Sequence, residues 1–260
     1  MKPTFLGHEK GLLTVILQCK TPETAIGRIR NALCSGAEAF GLQAESLLPE
    51  YQTPEVFTRL IREMKGKPCY ATCYHGRYNK ERDDDSLAEE LLTLADCGAM
   101  LLDVRGDQFS YHPDELTEDP KAVEKQVALI EKIHAKGAEV LMSSHVRRFI
   151  PAERVMEIAR AQIARGADIS KIVTEGKTEA EQIENLRIND LLHRELGAPF
   201  LYLSGGVCDL HRRLGIRLGC CMALCVVEHD AFSTAPQPLL STLKTIRDGL
   251  DFADPIPVEE

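Results

Sequence analysis

The chain has 260 residues, of which 44% are hydrophobic and 27% charged, and its formal net charge is −9. This length accommodates two ordinary domains or one large barrel, and it can bury a core without disulfides or a structural metal. The acidic excess argues against non-specific binding to nucleic acid or an anionic membrane, and no apolar run reaches the roughly 18 residues of a membrane span.

The cysteines and the N-terminal segment give an expectation about the compartment. The chain has nine cysteines, no CxxC motif occurs, and most of the cysteines lie within apolar runs. An odd number in such positions is typical of reduced thiols in a cytoplasmic protein. The first residues, MKPTFLGHEKG, lack the charged-then-apolar pattern of an export signal. We therefore expect a cytoplasmic protein.

Short apolar runs alternate with amphipathic stretches from one end of the chain to the other. The first run, LLTVILQC at residues 12–19, is followed by Thr21-Pro22-Glu23. This triplet combines a helix N-cap, a proline at the first helical position and an acid in the first turn. Thr53-Pro54-Glu55 repeats the same pattern at the second helix. Nearly continuous apolar runs of this kind are typical of parallel strands that are buried on both faces.

The alternation gives eight strand–helix units. We predict strands at residues 12–19, 39–47, 68–74, 99–105, 138–146, 169–175, 199–204 and 221–227. We predict the helices at residues 21–36, 53–66, 85–97, 120–136, 151–165, 178–196, 210–218 and 238–250. Eight units in a chain of this length predict a single-domain (β/α)8 TIM barrel, with a loosely held polar tail from about residue 252. A doubly wound open sheet is the alternative, but the strands are uniformly short and no GxGxxG loop follows the first one.

In such a barrel the active site lies at the carboxyl ends of the strands. Polar side chains near these ends are Gln43, Glu45, Tyr74, His75, Arg77, Asp103, Arg105, Ser143, Ser144, His145, Lys171, Glu175, Ser204, Glu228 and His229. Loops begin at these positions, so we expect about half of these side chains to serve no chemical role.

Lys171 differs from the other polar residues because it comes early in its strand, ISKIVTE, among apolar neighbours. Strand alternation places it on the same face as Val173 and Glu175. An amine inside a barrel is costly unless it is paired or neutral, and a desolvated amine can form a Schiff base with a ketone or aldehyde. The alternative is a lysine that extends into solvent at the bottom of the barrel.

His145 ends the preceding strand, in the sequence VLMSSHV, and therefore lies one strand away from Lys171 near the barrel mouth. An imidazole titrates near neutral pH and suits a general acid and base that moves one proton. The alternative is a histidine that is held at the rim by a hydrogen bond and takes no part in a reaction.

The segment at residues 140–173, VLMSSHVRRFIPAERVMEIARAQIARGADISKIV, resembles the fifth and sixth units of type I 3-dehydroquinate dehydratases. In that family a strand ending in Ser-x-His is followed by a helix and by a strand that opens with Lys-Ile. The resemblance implies that His145 is the general acid and base and that Lys171 forms the Schiff base. The register of eight units agrees with the family over most of the chain.

Further residues correspond to the family in part. The family has an arginine shortly after the seventh strand that binds the substrate carboxylate. The segment GGVCDLHRRLGIRLG offers Arg213 or Arg212, depending on the end from which the loop is counted. The family's closing loop, Ser-Ala-Pro-Gly-Gln, resembles the segment STAPQ, which implies that Ser233 and Gln237 contact the substrate.

The chain departs from the family at the ends of the second and third strands. The family's second strand ends in Glu-x-Arg, where this chain has QAE with Gln43 and Glu45; its third strand ends in Phe-Arg, where this chain has Tyr74. Those family residues hold the hydroxyls and the carboxylate of the substrate. We expect Gln43 and Glu45 to bind hydroxyls and Arg77, in the following loop, to replace the missing cation.

The resemblance implies a Schiff-base lyase that converts 3-dehydroquinate to 3-dehydroshikimate and water, a step of the shikimate pathway. Lys171 would supply the electron sink, so we expect no metal and no organic cofactor. The expected partner is a small anionic hydroxy-ketone, with no nucleic acid and no membrane. A homodimer is compatible with a barrel of this size, but no exposed apolar stripe identifies an interface.

Other functions stay open at this point. A related Schiff-base lyase or aldolase would act on another polyhydroxy ketone through the same lysine. A metal-dependent sugar isomerase or epimerase would draw its ligands from Glu45, Asp103, His145 and Glu175 or Glu228. A non-catalytic homologue would bind a small anion or a protein partner. A metal assay on the purified protein separates the metal-dependent class from the Schiff-base class.

Overall fold

Strands and helices alternate regularly in the computed structural model, which describes residues 3–249. The strands are β1 (Leu12–Leu17), β2 (Ala39–Gln43), β3 (Cys69–Thr72), β4 (Leu101–Arg105), β5 (Glu139–His145), β6 (Ile169–Gly176), β7 (Phe200–Gly206) and β8 (Met222–Cys225). The helices are α1 (Pro22–Cys34), α2 (Pro54–Glu63), α3 (Asp84–Asp96), α4 (Pro120–Ala135), α5 (Ala152–Ala164), α6 (Glu179–Glu195), α7 (Asp209–Leu214) and α8 (Leu240–Gly249). The predicted tail from residue 252 lies outside the described residues.

The strands form one parallel sheet in the order β7-β6-β5-β4-β3-β2-β1-β8. The two ends of this order meet, because the amide of Cys221, just before β8, donates to the carbonyl of Phe200 at the start of β7. The sheet therefore curls into a nearly closed barrel with the helices outside. The predicted (β/α)8 barrel is confirmed, and the open doubly wound sheet is not formed.

The caps predicted from the sequence fix where the first helices begin. The side-chain oxygen of Thr21 accepts from the amide of Thr24 at 3.3 Å, and that of Thr53 accepts from Val56 at 3.4 Å. Each helix then starts at the proline that follows the cap. These bonds satisfy amides that have no partner within the helix.

Two predicted elements end four residues before the apolar pattern indicated, at Gln43 and at Leu214. The predicted strand at residues 39–47 stops at Gln43, and Ala44–Ser46 form a 3₁₀ turn that directs Glu45 beneath the strand ends. The predicted helix at residues 210–218 is α7 followed by a 3₁₀ turn from Gly215, since glycine weakens a helix.

Apolar side chains fill the interior of the barrel towards its amino end. Phe5 precedes β1, is 1% exposed and belongs to the interior apolar cluster with Leu101 and Ile169. All residues of β1 are buried, as expected of a strand covered on both faces. None of the helices within residues 3–249 is long and apolar enough to cross a membrane.

Candidate active site

A cavity of about 330 Å³ opens at the carboxyl ends of the strands. Its lining includes Gln43, Tyr74, His145, Lys171, Arg212 and Gln237. Larger cavities lie at the amino end of the barrel and between helices on its outside, and neither contains these side chains. The predicted pairing of His145 and Lys171 at one opening is therefore present in the structure.

Lys171 points into the barrel from β6, beside Ser143 of β5 in the strand register. It is 4% exposed, so the alternative of a lysine extending into solvent does not occur. Its Nζ donates to the hydroxyls of Tyr70 and Tyr74, at 2.9 and 3.0 Å, and to Oδ2 of Asp103 at 3.0 Å. We call Tyr70, Tyr74 and Asp103 the lysine cage.

Asp103 is the centre of the cage. It is 1% exposed and accepts hydrogen bonds from both cage tyrosines and from Oγ of Ser143 at 2.5 Å. Burial alone would raise the pKa of Asp103, but the charge of Lys171 and these hydrogen bonds outweigh burial, and the pKa is lowered. Asp103 is therefore a carboxylate at neutral pH and forms a buried ion pair with Lys171.

The cage tyrosines keep their protons. Burial, followed by the negative charge of Asp103, raises the pKa of Tyr70 and of Tyr74 well above that of a free phenol. Both hydroxyls can thus donate to Asp103 while they accept from Lys171.

His145 is held by a carboxylate from a neighbouring loop. Oε2 of Glu115 lies 2.7 Å from Nδ1 of His145 and also accepts from the backbone amide of His145 at 2.8 Å. Burial alone would raise the pKa of Glu115, but the hydrogen bonds and charge of His145 lower it. A carboxylate only accepts hydrogen bonds, so Nδ1 carries a proton and Nε2 is the ring nitrogen left to exchange a proton with a ligand.

Glu115 reaches His145 because the loop between β4 and α4 folds back on the strand ends. Its backbone adopts the left-handed region with φ of 43°, and its carbonyl accepts from Oγ of Ser144 at 2.6 Å. The carbonyl also passes so close to Gly106 that a Cβ at that position would lie 2.3 Å from it. Gly106 therefore permits the loop conformation that places the carboxylate.

Arg212 supplies a buried cation to the cavity from α7. It is 9% exposed, its Nη1 donates to the carbonyl of Ser204 at 3.4 Å, and its Nε is buried without a partner. Burial lowers the pKa of Arg212 to about 10, which still leaves it charged at neutral pH. A buried guanidinium with unused donors is suited to binding a carboxylate.

The loop between β8 and α8 forms one wall of the cavity. Gln237 is buried there, and its Oε1 has no partner. The amide nitrogen of Gln18 donates to Oε1 of Gln43 at 2.8 Å, and Oε1 of Gln18 accepts from the backbone amide of Thr234 at 3.0 Å. These hydrogen bonds hold the side chain of Gln43 in place through its Oε1. The NH₂ group of Gln43 is left available to a ligand.

Two of the predicted substrate residues lie on the outside of the site. Arg213 forms an ion pair with Asp209 at 3.4 Å, and it is absent from the lining of the cavity. Of the two arginines left open by the sequence, the geometry favours Arg212. Ser233 bonds to Asp230, its amide and hydroxyl both donating to that carboxylate.

Two further residues predicted to bind substrate, Glu45 and Arg77, lie near the cavity but are absent from its lining. Glu45 is 4% exposed and accepts from the hydroxyl of Thr72 at 2.9 Å, so it is held beneath the cavity. Burial raises the pKa of Glu45 to about 7. Arg77 is exposed and donates to the carbonyl of Phe232 at 3.2 Å, next to a separate cavity.

The donor set for a metal ion does not assemble. In the part of the chain from residue 3 to 249, no group of three or more His, Cys, Asp or Glu side chains could hold a metal. Of the four ligands considered for an isomerase, Asp103 is occupied by Lys171 and Glu45 by Thr72.

Three residues that the geometry makes central carry only a weak signal in the sequence. Tyr70 lies in β3 and Tyr74 lies two residues past its end, and their even spacing, which strand alternation would place on one face, was an available signal. Glu115 stands among several acids in a loop of 14 residues between β4 and α4, and spacing alone does not distinguish it from Asp107 or Asp114.

Solved structures with the same architecture include three 3-dehydroquinate dehydratases. That of Geobacillus kaustophilus HTA426 has a TM-score of 0.79 at 13% identity, covering 96% of this chain and 94% of that one. The type I enzyme of Clostridium difficile, with covalently modified comenic acid, has a TM-score of 0.79 at 14% identity, covering 94% of each chain. The enzyme of Enterococcus faecalis has a TM-score of 0.75 at 15% identity, covering 95% of this chain and 98% of that one. At these identities the likeness shows the shared fold.

Comparison with curated protein sequences gives no significant match. The family model for type I 3-dehydroquinase, by contrast, matches residues 13–252, from the second residue of β1 to beyond α8. Because this match spans nearly the whole barrel, the chain belongs to the type I 3-dehydroquinase family, whose members are lyases.

Proposed function

We propose that the protein dehydrates 3-dehydroquinate to 3-dehydroshikimate and water through a Schiff base on Lys171. The observation that carries this proposal is the content of one cavity: the amine of Lys171, the imidazole of His145 and the buried guanidinium of Arg212. These groups match the three chemical features of the substrate, namely a ketone, an acidic C–H bond next to it and a carboxylate.

The first half of the proposed reaction activates the ketone. The neutral amine of Lys171 adds to the carbonyl carbon, and the resulting carbinolamine loses water to give an iminium ion. The iminium carries the same positive charge as the resting ammonium, so the carboxylate of Asp103, 3.0 Å from Nζ, can serve as counter-ion to both. The site therefore offers the iminium the same counter-charge as the resting lysine.

The second half removes water from the substrate carbon skeleton. Nε2 of His145 takes the proton from the carbon next to the iminium, and the electron pair forms an enamine. The protonated imidazole then gives its proton to the departing hydroxyl, which leaves as water. A second water hydrolyses the iminium, releases 3-dehydroshikimate and restores Lys171. Glu115 stabilises the charged imidazole between these proton transfers, through the 2.7 Å contact to Nδ1.

The proposed substrate orientation follows from the polar wall of the cavity. Arg212 binds the carboxylate, because its unused donors are buried and no anion of the protein bonds to them within residues 3–249. Gln237 and Gln43 lie in the same cavity and present amide groups to the hydroxyls. One buried guanidinium in this cavity fits a substrate with one carboxylate.

Turnover of 3-dehydroquinate tests the proposal, since the product enone absorbs in the ultraviolet. We expect activity in the wild type. Arg212→Ala should weaken substrate binding about 10- to 150-fold, because a charged hydrogen bond contributes about 1.5–3 kcal/mol. Arg213→Ala is the matched control and should resemble the wild type. An inactive wild type, or an equal loss in both variants, would contradict this assignment.

A second candidate is a Schiff-base lyase or aldolase that acts on another polyhydroxy ketone. Tyr74 favours this candidate, because it stands where the family has an arginine that binds the substrate. Its hydroxyl bonds to Lys171 and supplies no positive charge to an anion. Adduct formation with other keto acids or keto sugars, together with no turnover of 3-dehydroquinate, would support this candidate.

The cytoplasm is the proposed location, since all nine cysteines are unpaired in the structure. Most of these thiols are buried in the apolar interior, where they serve as small hydrophobic side chains. A reducing compartment keeps such thiols unpaired.

A further inference from the structure

We propose that Tyr74 is a catalytic residue of Schiff-base formation, which carries protons between the Lys171–Asp103 ion pair and the oxygen of the substrate carbonyl. This inference rests on the proposed Schiff-base function and adds a second acid–base group to it. His145 would serve the substrate carbon, and Tyr74 would serve the substrate oxygen that leaves when the imine forms.

The position of the Tyr74 hydroxyl is the first observation. It accepts from Nζ of Lys171 at 3.0 Å, donates to Oδ2 of Asp103 and lies 3.3 Å from Oγ of Ser143. Its side chain also lines the cavity, and the residue is half-buried. The hydroxyl therefore connects the buried ion pair to the space that a substrate occupies.

Tyr70 differs from Tyr74 in its access to the cavity. Its hydroxyl makes the same two contacts, to Nζ of Lys171 at 2.9 Å and to Oδ2 of Asp103. It is 1% exposed, however, and does not belong to the lining of the cavity. Tyr70 can hold the lysine in place but cannot pass a proton to a ligand.

The Lys171–Asp103 ion pair must exchange protons before and after the amine reacts, so the reaction needs a group that transfers them. Lys171 donates to a carboxylate that is ionised, so its amine must lose a proton before it can attack a carbonyl. Asp103 is the acceptor at 3.0 Å. After this transfer the carboxyl and the amine are both neutral, and the amine is a nucleophile.

The proton then returns through Tyr74. The amine forms a bond to the carbonyl carbon, and its second proton moves to the former carbonyl oxygen, which gives a neutral carbinolamine. Tyr74 donates its hydroxyl proton to that oxygen and takes a proton from Asp103. The C–O bond breaks, water leaves and the nitrogen lone pair forms the C=N bond. The products are an iminium and a carboxylate, so charge and protons balance with the ammonium, the carboxylate and the ketone at the start.

His145 has its own carboxylate partner and makes no hydrogen bond to the Lys171–Asp103 pair. Its Nδ1 is committed to Glu115, and its ring meets the ring of Tyr74 edge-on, with 5.6 Å between the centroids. Tyr74 thus separates the two acid–base systems and contacts both. Its hydroxyl keeps its proton at neutral pH, because burial and Asp103 raise the pKa of the phenol.

The test compares Tyr74→Phe with Tyr70→Phe. Each substitution removes one hydroxyl from the same two partners and keeps the ring, so folding can be matched by thermal unfolding. The probe is 3-dehydroquinate, mixed rapidly with enzyme and quenched with borohydride at increasing times. Mass spectrometry then gives the rate at which the adduct forms on Lys171.

We expect Tyr74→Phe to slow adduct formation by roughly 10²-fold, the lower end of the range for a positioned acid–base group. Tyr70→Phe removes a hydrogen bond to Lys171 but no donor at the cavity, so we expect a smaller loss than in Tyr74→Phe. A rate for Tyr74→Phe equal to the wild type overturns the relay, and so does an equal loss in both variants, which would mean that the hydroxyls only hold Lys171. A wild type that forms no adduct with this or any other carbonyl compound overturns the Schiff-base function itself.

Discussion

Individual side chains divide the site into two separate pairs of a basic group and a carboxylate. Lys171 is paired with Asp103, and His145 is paired with Glu115, each across a contact of 3.0 Å or less. Neither carboxylate shares its partner with the other. The amine and the imidazole thus each have a carboxylate partner of their own, which fits the separate roles proposed for them.

Substitution of His145 tests its role on the substrate carbon. His145→Ala should lower turnover by roughly 10²–10⁴-fold, the range for positioned acid–base groups. The imine should still form, because the hydrogen bonds of Lys171 go to Tyr70, Tyr74 and Asp103 and not to His145. Borohydride trapping in the same variant measures this. Near-normal turnover would contradict this role and would show that His145 is a histidine at the rim that bonds to Glu115 and takes no part in the reaction.

Glu45 should make stability depend on pH. Burial raises its pKa to about 7 from an ordinary value of 4.5, so the folded chain holds a proton that the unfolded chain releases. The stabilisation is complete below about pH 4.5 and is lost as the pH rises through about 7. Glu45→Gln removes this titration, and its stability relative to the wild type should rise over that interval by up to about 3 kcal/mol.

Urea unfolding of both proteins at about pH 5 and about pH 8 measures the difference. The glutamine keeps an acceptor for the hydroxyl of Thr72, which controls for the loss of that hydrogen bond. A difference between the two proteins that is the same at both pH values would contradict a buried, titrating Glu45.

The site residues that could be predicted from the sequence were those whose position within a predicted strand indicates a role in the site. Lys171 interrupts an apolar run, and His145 ends the strand before it, so pattern and resemblance agreed on both. Glu115 could not be predicted, because its contact depends on the path of a loop. Nor could the choice between Arg212 and Arg213, since both lie on one helical turn and only the packing of α7 decides which is buried.

Among the elements, the loop between β4 and α4 decides the geometry of the base. Its path brings Glu115 over the end of β5, and Gln126 of α4 donates to the carbonyl of Gly106 at 2.9 Å, which ties the loop to the helix. The sequence predicted the elements on either side of this loop within a few residues. Their ends were less predictable where a side-chain contact, as at Glu45, outweighed the apolar pattern.

A substitution at Gly106 tests the loop. In Gly106→Ala the new Cβ would lie 2.3 Å from the carbonyl of Glu115, so the loop must move. We expect turnover to fall, because Glu115 would no longer hold the imidazole, while adduct formation on Lys171 persists. Gly27→Ala is a control, as no neighbouring atom lies within 4 Å of the position that its new methyl group would occupy. Unchanged turnover in Gly106→Ala would show that the base does not depend on this loop.

Over the entire chain, the barrel could be predicted because it repeats one unit. Each unit can be recognised from an apolar run followed by a capped helix. Eight such units in succession are compatible with only a few sheet topologies, of which the closed barrel is one. What the repeats do not encode is which side chains from β3, β4 and β6 meet inside. The lysine cage joins residues that are 68 to 101 positions away from Lys171 in the chain, and local patterns carry no information at that range.

The buried ion pair should contribute to the stability of the whole barrel. Lys171→Met leaves Asp103 buried without its cation, which should cost about 3–5 kcal/mol. The double variant Lys171→Met/Asp103→Asn removes the unpaired charge and should recover part of that loss. Denaturant unfolding at neutral pH measures both. A single variant as stable as the wild type, or a double variant less stable than the single one, would contradict a buried pair.

The proposed chemistry depends above all on a Schiff base between Lys171 and 3-dehydroquinate. The most direct measurement is borohydride reduction of the wild-type protein in the presence of that compound, followed by peptide mass spectrometry. We predict a single covalent adduct on Lys171 and none in Lys171→Ala, which should also lack turnover. Full turnover in Lys171→Ala, or turnover by the wild type without any trappable adduct, would contradict this mechanism.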